Sequence, residues 1–419
     1  MLAPVLIQHA EEAAAAWHRG RIQRCAAAPK LSALARFDEQ LAAHLDGLLV
    51  SGHVGRLHAR ALLQEVSAAS AFVNAFLALM DGDGETMSLV AGMALSKSPI
   101  FRGIRDAAGW ANKPFGSVRL ELNASSTSPV IRALRVIRAS DAGDSDVVVG
   151  GCSDPSRLVR SVSAQALPRT GNPGTGAARP LPDRRALVAM LDDPDPGGQS
   201  EALQSLVLLG DRGRSLDLLS QAVGDRTNAG ALATCLALRA LPLPRANELV
   251  TALARGSDWR LLMRAVGAVG DPRYLDWVIS YLDDPRRMRA AGEALSLITG
   301  LDLAGLDLDR APPEEAERGP NDNPDDDNVA MDEDEGLPWP DPAKVQAWWS
   351  ATAHRFQPGV RYFMGAPPSW EHCLQVLRDG YQRQRMAASE YLCLLRPGTM
   401  LFNCEAPAWR QQRWLAQMH

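Results

Sequence analysis

The sequence predicts an all-α protein built around helical repeats, and three observations carry that prediction. Tyr and Phe are sparse, five and eight in 419 residues, while apolar residues reach 46% with Ala and Leu prominent; such a composition suits close-packed helices better than sheet. Apolar residues also recur at helix-face spacings over most of the chain. Finally, from Cys152 to Gly300 short Asp-containing turns punctuate Ala- and Leu-rich stretches at intervals of two-helix size. A chain of this length exceeds one ordinary core, which a repeat array tolerates because each unit touches only its neighbours.

The first segment, 1–150, reads as a helical domain. Leu31, Leu34, Leu41, Leu45, Leu48 and Leu49 mark one helix that breaks at Ser51-Gly52. A second pattern runs from about Val54 to Met80 and stops at Asp81-Gly82-Asp83-Gly84. Leu89, Met93 and Leu95 mark a third, ending near Pro99; Val130, Leu134 and Ile137 mark another, before Asp141-Ala142-Gly143.

The second segment, 151–301, carries the repeats. Ser153-Asp154-Pro155, Asp192-Asp193-Pro194, Gly256-Ser257-Asp258 and Asp283-Asp284-Pro285 each precede a helical stretch. An Asp carboxylate caps the next helix there, and Pro is pre-set for its first turn. Aligning Asp154, Asp193, Asp225, Asp258 and Asp284 gives steps of 39, 32, 33 and 26 residues, the first holding an insertion from Gly171 to Pro182. Gly210-Asp211 and Gly270-Asp271 fit a helix C-cap followed by entry to the next helix. The Asp-Pro turn with a downstream Val159-Arg160 pair resembles the HEAT-repeat pattern.

The third segment, 302–336, is acidic. Asp302 to Glu335 holds fourteen acidic residues against Arg310 and Arg318, a charge of −12 that leaves +7 on the rest of a chain of net charge −5. Low apolar content predicts a flexible tether. Asp325-Asp326-Asp327-Asn328 lacks the alternating ligands and central Gly of a calcium loop. The fourth segment, 337–419, holds six of the ten Trp and reads as a helical cap covering the last apolar face of the array, its first helix starting after Asp341-Pro342.

Chemistry-bearing motifs are scarce. No G-x-S-x-G, H-E-x-x-H or phosphate-cradling Gly-rich loop occurs, so no catalytic residue, cofactor or small-molecule substrate is expected. A metal-dependent HEAT-like enzyme needs paired His and Glu inside its repeats, yet 152–300 contains no His. His9, Glu12 and His44 have ligand chemistry, but position along the chain does not join them, and no metal is expected. The six Cys lack disulfide-scaffold or zinc spacings. Lys is scarce and no basic run occurs, which disfavours nucleic acid. No apolar stretch is long enough to span a membrane. The N-terminus lacks the basic region of a signal peptide, so a cytoplasmic location is expected. Partner-contact candidates are Trp348, Trp349, Arg361, Arg383 and Arg385, because Trp and Arg concentrate at interface hot spots. Core filling and internal pairing are the alternatives for the same residues.

Gln8-His9-Ala10-Glu11-Glu12-Ala13 with Trp17, Leu41-x-x-His44-Leu45-Asp46-Gly47-Leu48, and Leu337-Pro338-Trp339-Pro340-Asp341-Pro342 with Trp348-Trp349 form one set of quotable motifs. Arg355-Phe356 through Gly359, Arg361-Tyr362, Gln382-Arg383-Gln384-Arg385 and Trp409-Arg410-Gln411-Gln412-Arg413 form a second. In these the chain resembles a proteobacterial family of HEAT-like proteins associated with type VI secretion gene clusters. That resemblance implies a non-enzymatic protein-binding scaffold, an adaptor or chaperone for a secreted toxin or a secretion-spike protein. An immunity protein that neutralises a toxin is the alternative. No catalytic residues are established for the family, so none carries over.

Overall fold

The computed structural model describes residues 3–111, 115–171, 183–224, 228–313, 332 and 334–418. Among them the regular elements are helices and one two-residue antiparallel ladder, with an isolated bridge between Phe363 and Ala366. It forms two compact units: Met1–Cys25, Pro29–Leu209 and Arg396–His419 make the first, Ala26–Ala28 and Gly210–Leu395 the second. This division differs from the four segments read in the sequence. It cuts the repeat segment after Leu209, and it assigns the last part of the C-terminal segment to the first unit.

The first unit begins with α1 (Ala3–Cys25), α2 (Leu31–Val50), α3 (Gly52–Ala61), α4 (Ala68–Asp81), α5 (Gly84–Ser96) and α6 (Ser98–Trp110). It continues with α7 (Pro129–Ala142), α8 (Ser145–Gly151), α9 (Arg157–Ala166), α10 (Arg185–Ala189) and α11 (Pro196–Leu208). Its centre is α4, buried at every residue from Ser70 to Met80. Phe72 on α4 stacks on Trp17 of α1 at 5.5 Å and meets Trp110 of α6 edge-on at 6.2 Å. Close approach of α4 and α6 requires Gly103, where a Cβ would lie 1.9 Å from the Ala68 carbonyl oxygen.

One predicted element needs correction here. The stretch Val54–Met80 is two helices, because Ser67 and Ser70 form a reciprocal capping box that starts α4 afresh. The third pattern does end near Pro99, at Ser96, and Pro99 itself lies in the first turn of α6.

The Asp-Pro turns of this unit share one device. Asp154 takes a bidentate pair from Arg132 at 2.8 Å to each oxygen and accepts the Ser156 N–H. Asp193 does the same with Arg160, at 2.5 and 2.9 Å, and accepts the Asp195 N–H. Each arginine also donates to carbonyls just upstream of its own helix. A helix is thereby tied to the turn entering the next unit, by paired charges whose planar geometry fixes the angle. The cap of α11 is Asp195 rather than Asp193.

The second unit contains α12 (Arg214–Gln221), α13 (Asn228–Ala240), α14 (Leu243–Leu253), α15 (Trp259–Val269), α16 (Leu275–Ile279) and α17 (Met288–Thr299). After them come α18 (Pro342–Thr352), α19 (Trp370–Asp379) and α20 (Gln382–Leu395). Asp258 caps α15 and Asp341 caps α18, as their positions predict, and Gly270 ends α15 in the left-handed conformation, φ 72°. Asp225 lies outside the described residues.

The acidic tract has partners at both described ends. Strand β1 (Asp309–Arg310) pairs with β2 (Trp339–Pro340). Asp332 accepts from Arg289 at 2.6 and 2.9 Å, and the buried Asp334 pairs with Arg260. Arg260 and Arg289 thus neutralise two carboxylates that composition alone assigns to solvent. Residues 314–331 and 333, with the candidate calcium loop, lie outside the described residues, as does most of the Gly171 to Pro182 insertion. The chain finally returns to the first unit with α21 (Ala408–Leu415).

Candidate functional site

Of the five partner-contact candidates, Trp349, Arg361, Arg383 and Arg385 have polar partners within the chain. Arg385 is wholly buried and donates to the Leu377 carbonyl and the Gln382 side chain, so no partner reaches it. Trp349 is buried, its indole N–H donating to Asp276 at 2.6 Å, while Trp348 is half-buried beside it. Arg383 pairs with Glu293 at 2.7 Å. Arg361 donates to the carbonyls of Leu238, Arg239, Leu241 and Val269, the C-terminal ends of α13 and α15. Orphan carbonyls at helix ends need such donors; the guanidinium is consumed by the fold.

An unusual surface lies on α3. Gly55 and Ala59, four residues apart, face inward, and a Cβ at Gly55 would lie 2.2 Å from the Leu48 carbonyl oxygen. The large apolar residues face outward: Val54 is 47% exposed, Leu57 59%, and Val50 just before them 81%. Amphipathic helices normally bury their large residues. At the edge of this face Arg56 and Arg60 pair with Asp81 and Glu85 at 2.5 and 2.7 Å, so the surrounding charges are already matched within the unit.

His9 and His44, which their chain positions leave apart, are brought together. Their Nδ1 atoms lie 3.0 Å apart across α1 and α2, and the His9 ring sits over Gly47, where a Cβ would approach its Nε2 to 3.1 Å. Among the described residues no group of three or more His, Cys, Asp and Glu is arranged to hold a metal ion. Burial, with the His9 charge adding to it, holds His44 below its ordinary value of 6.5. Between that folded value and 6.5 the unfolded chain binds more protons, so stability falls as pH drops below 6.5. Thermal melts from pH 7.5 to 5 should show this loss, and His44→Gln should flatten it. An unchanged slope would remove the pair as its source.

A cavity of about 130 Å³ opens inside the first unit. One face of α1 supplies Trp17, Arg21 and Arg24, at helical spacings, and α6 supplies Arg105, Asp106 and Trp110. Arg169 closes it from the turn after α9, and Glu405, Arg410 and Trp414 from the returning C-terminal chain. Arg410 is buried, pairs with Asp141 and stacks over Trp414 at 4.6 Å. Glu405 lies 3.5 Å from Arg21. Burial opposes its ionisation, but Arg21, Arg105 and Arg169 together hold its carboxyl below the ordinary value. Burial pushes Asp106 up, against Arg105 and Arg21.

No sequence motif announced this cavity, because its residues come from five separate stretches. The usable signals were the stripe Trp17, Arg21, Arg24 and the run around Arg410. A wider depression in the second unit, near Asn247 and Tyr274, is different: those two side chains bond each other at 3.0 Å, and Asn247 also bonds Asp271. Of the free cysteines, Cys152 and Cys373 are pushed by burial up to about 12, far from a nucleophilic thiolate. In comparisons with known proteins, no family model and no curated protein matches the chain.

Proposed function

We propose that this protein is a non-enzymatic scaffold that holds another protein, and that the α3 face is where it does so. The observation supporting this is the inverted helix: small residues inside, Val50, Val54 and Leu57 outside. Covering a large apolar side chain yields up to about 1.5–3 kcal/mol, and three of them close together make an anchor of hot-spot type. The partner offers an apolar surface of its own, since the nearby arginines already have carboxylates. From the family resemblance, that partner is a secreted toxin or a secretion-spike component, and the protein its adaptor or chaperone.

The test is co-expression with a candidate toxin and a candidate spike protein from a type VI secretion gene cluster, followed by co-purification. Capture of one of them is expected, and the doubly substituted Val54→Asp, Leu57→Asp chain should bind about tenfold or more weakly while melting normally. Capture of neither protein, or equal capture by the substituted chain, would overturn the reading.

A further inference from the structure

We infer that the arginine-lined cavity of the first unit is a binding site for a monocarboxylate carrying an apolar body. The inference is independent of the α3 face. Three buried guanidinium Nε atoms, those of Arg21, Arg169 and Arg410, have no hydrogen-bond partner among the described residues, and all three side chains line this one cavity. A buried N–H left unpaired costs free energy that a ligand oxygen recovers. Arg169 goes further, for it makes no ion pair at all among the described residues, and Glu201 and Glu405 act on it only through space.

Charge selects the ligand class. Five guanidinium groups, on Arg21, Arg24, Arg105, Arg169 and Arg410, meet three carboxylates in the lining, on Asp106, Asp141 and Glu405. Asp38 matches Arg24 from behind. One positive charge is left over among these groups. That surplus suits a single negative charge; a phosphate dianion would also meet the resident carboxylates. The planar fork of an arginine matches a carboxylate. The other walls mix apolar residues, among them Trp17, Trp110 and Met400, with Ser140, Gln165 and Asn403, and the volume is far above the ~10–15 Å³ that admits one water. An aromatic or aliphatic body therefore fits beside the charged end.

The carboxylate can belong to a free acid or to the C-terminus of a peptide, and titration calorimetry on the full chain separates the two. The probes are phenylacetate, a capped dipeptide ending in Phe with a free carboxyl, the amides of both, and inorganic phosphate. One or both carboxylates should bind, their amides should not, and phosphate should bind more weakly. Arg169→Gln should weaken binding about tenfold or more with little change in melting, since it breaks no ion pair. Gly109→Asp, at a lining position where a Cβ meets nothing within 4 Å, places a competing carboxylate in the cavity and should abolish binding. Arg255→Gln, at an exposed position of the second unit, should bind as the parent does. Absence of binding by either acid, equal binding of the amides, tighter binding of phosphate, or full binding by both cavity variants would overturn the assignment.

Discussion

Replacing Arg361 with alanine should destabilise the second unit by about 3–5 kcal/mol, as the loss of a multiply bonded, largely buried donor does. The guanidinium serves four main-chain carbonyls at the ends of two helices, with distances near 3 Å to those of Leu238, Leu241 and Val269. Without it those oxygens stay partly buried and unpaired, and each costs about 1–3 kcal/mol less whatever water restores. Burial pulls the guanidinium below the ordinary arginine value, with Tyr391 opposing, which reflects how little water reaches it. Lysine offers one point donor in place of a planar fork and should rescue only part of the loss. Calorimetric melting of the full chain reads the effect, expected as a fall of roughly 10 °C for a unit of this size. A loss below about 1 kcal/mol would show the carbonyls to be satisfied by other means.

Asp38→Ala should cost the first unit a similar amount. The Asp38 carboxylate binds the buried Arg24 and accepts the Ala408 N–H at 2.5 Å, at the start of α21. Burial pushes this carboxyl above its ordinary value, and Arg24 opposes the push. Removal takes from the buried guanidinium its carboxylate, for about 3–5 kcal/mol, and from the first N–H of α21 its acceptor, for about 1 kcal/mol more. The double variant Arg24→Met, Asp38→Leu should be clearly more stable than Asp38→Ala, because no lone charge remains. If the double variant is as unstable as the two single losses combined, the ion pair is not the source of the effect.

The helical class was legible because it is written locally. Spacing along α2, the caps Asp258 and Asp341, and Gly270 all act within a turn or two of their own position. The misread stretch at Val54–Met80 was also local, and Ser67-x-x-Ser70 was its overlooked signal. The C-terminal candidates show a different limit. Arg361 and Arg385 look like surface cations in sequence, and only the long-range position of α13 and α15, or of the Leu377 carbonyl, turns them inward. The cavity was illegible on the same grounds, although Trp17 and Arg410, singled out by the family resemblance, both line it. Likewise the motifs around His9 and His44 named two residues whose meeting no spacing discloses.

The return of residues 396–419 to the first unit has a consequence for synthesis. Chains fold in the order they are made, at about 5–20 residues per second. Residues 210–395 are therefore translated after the main body of the first unit but before Glu405, Arg410 and α21 exist. For roughly 10–40 s at those speeds, Arg24, Asp38 and Asp141 wait without the segment that completes their environment. A chain truncated after Leu395 should thus hold a folded second unit and a protease-sensitive first one, with residues 396–419 acting as the latch that ends that vulnerability.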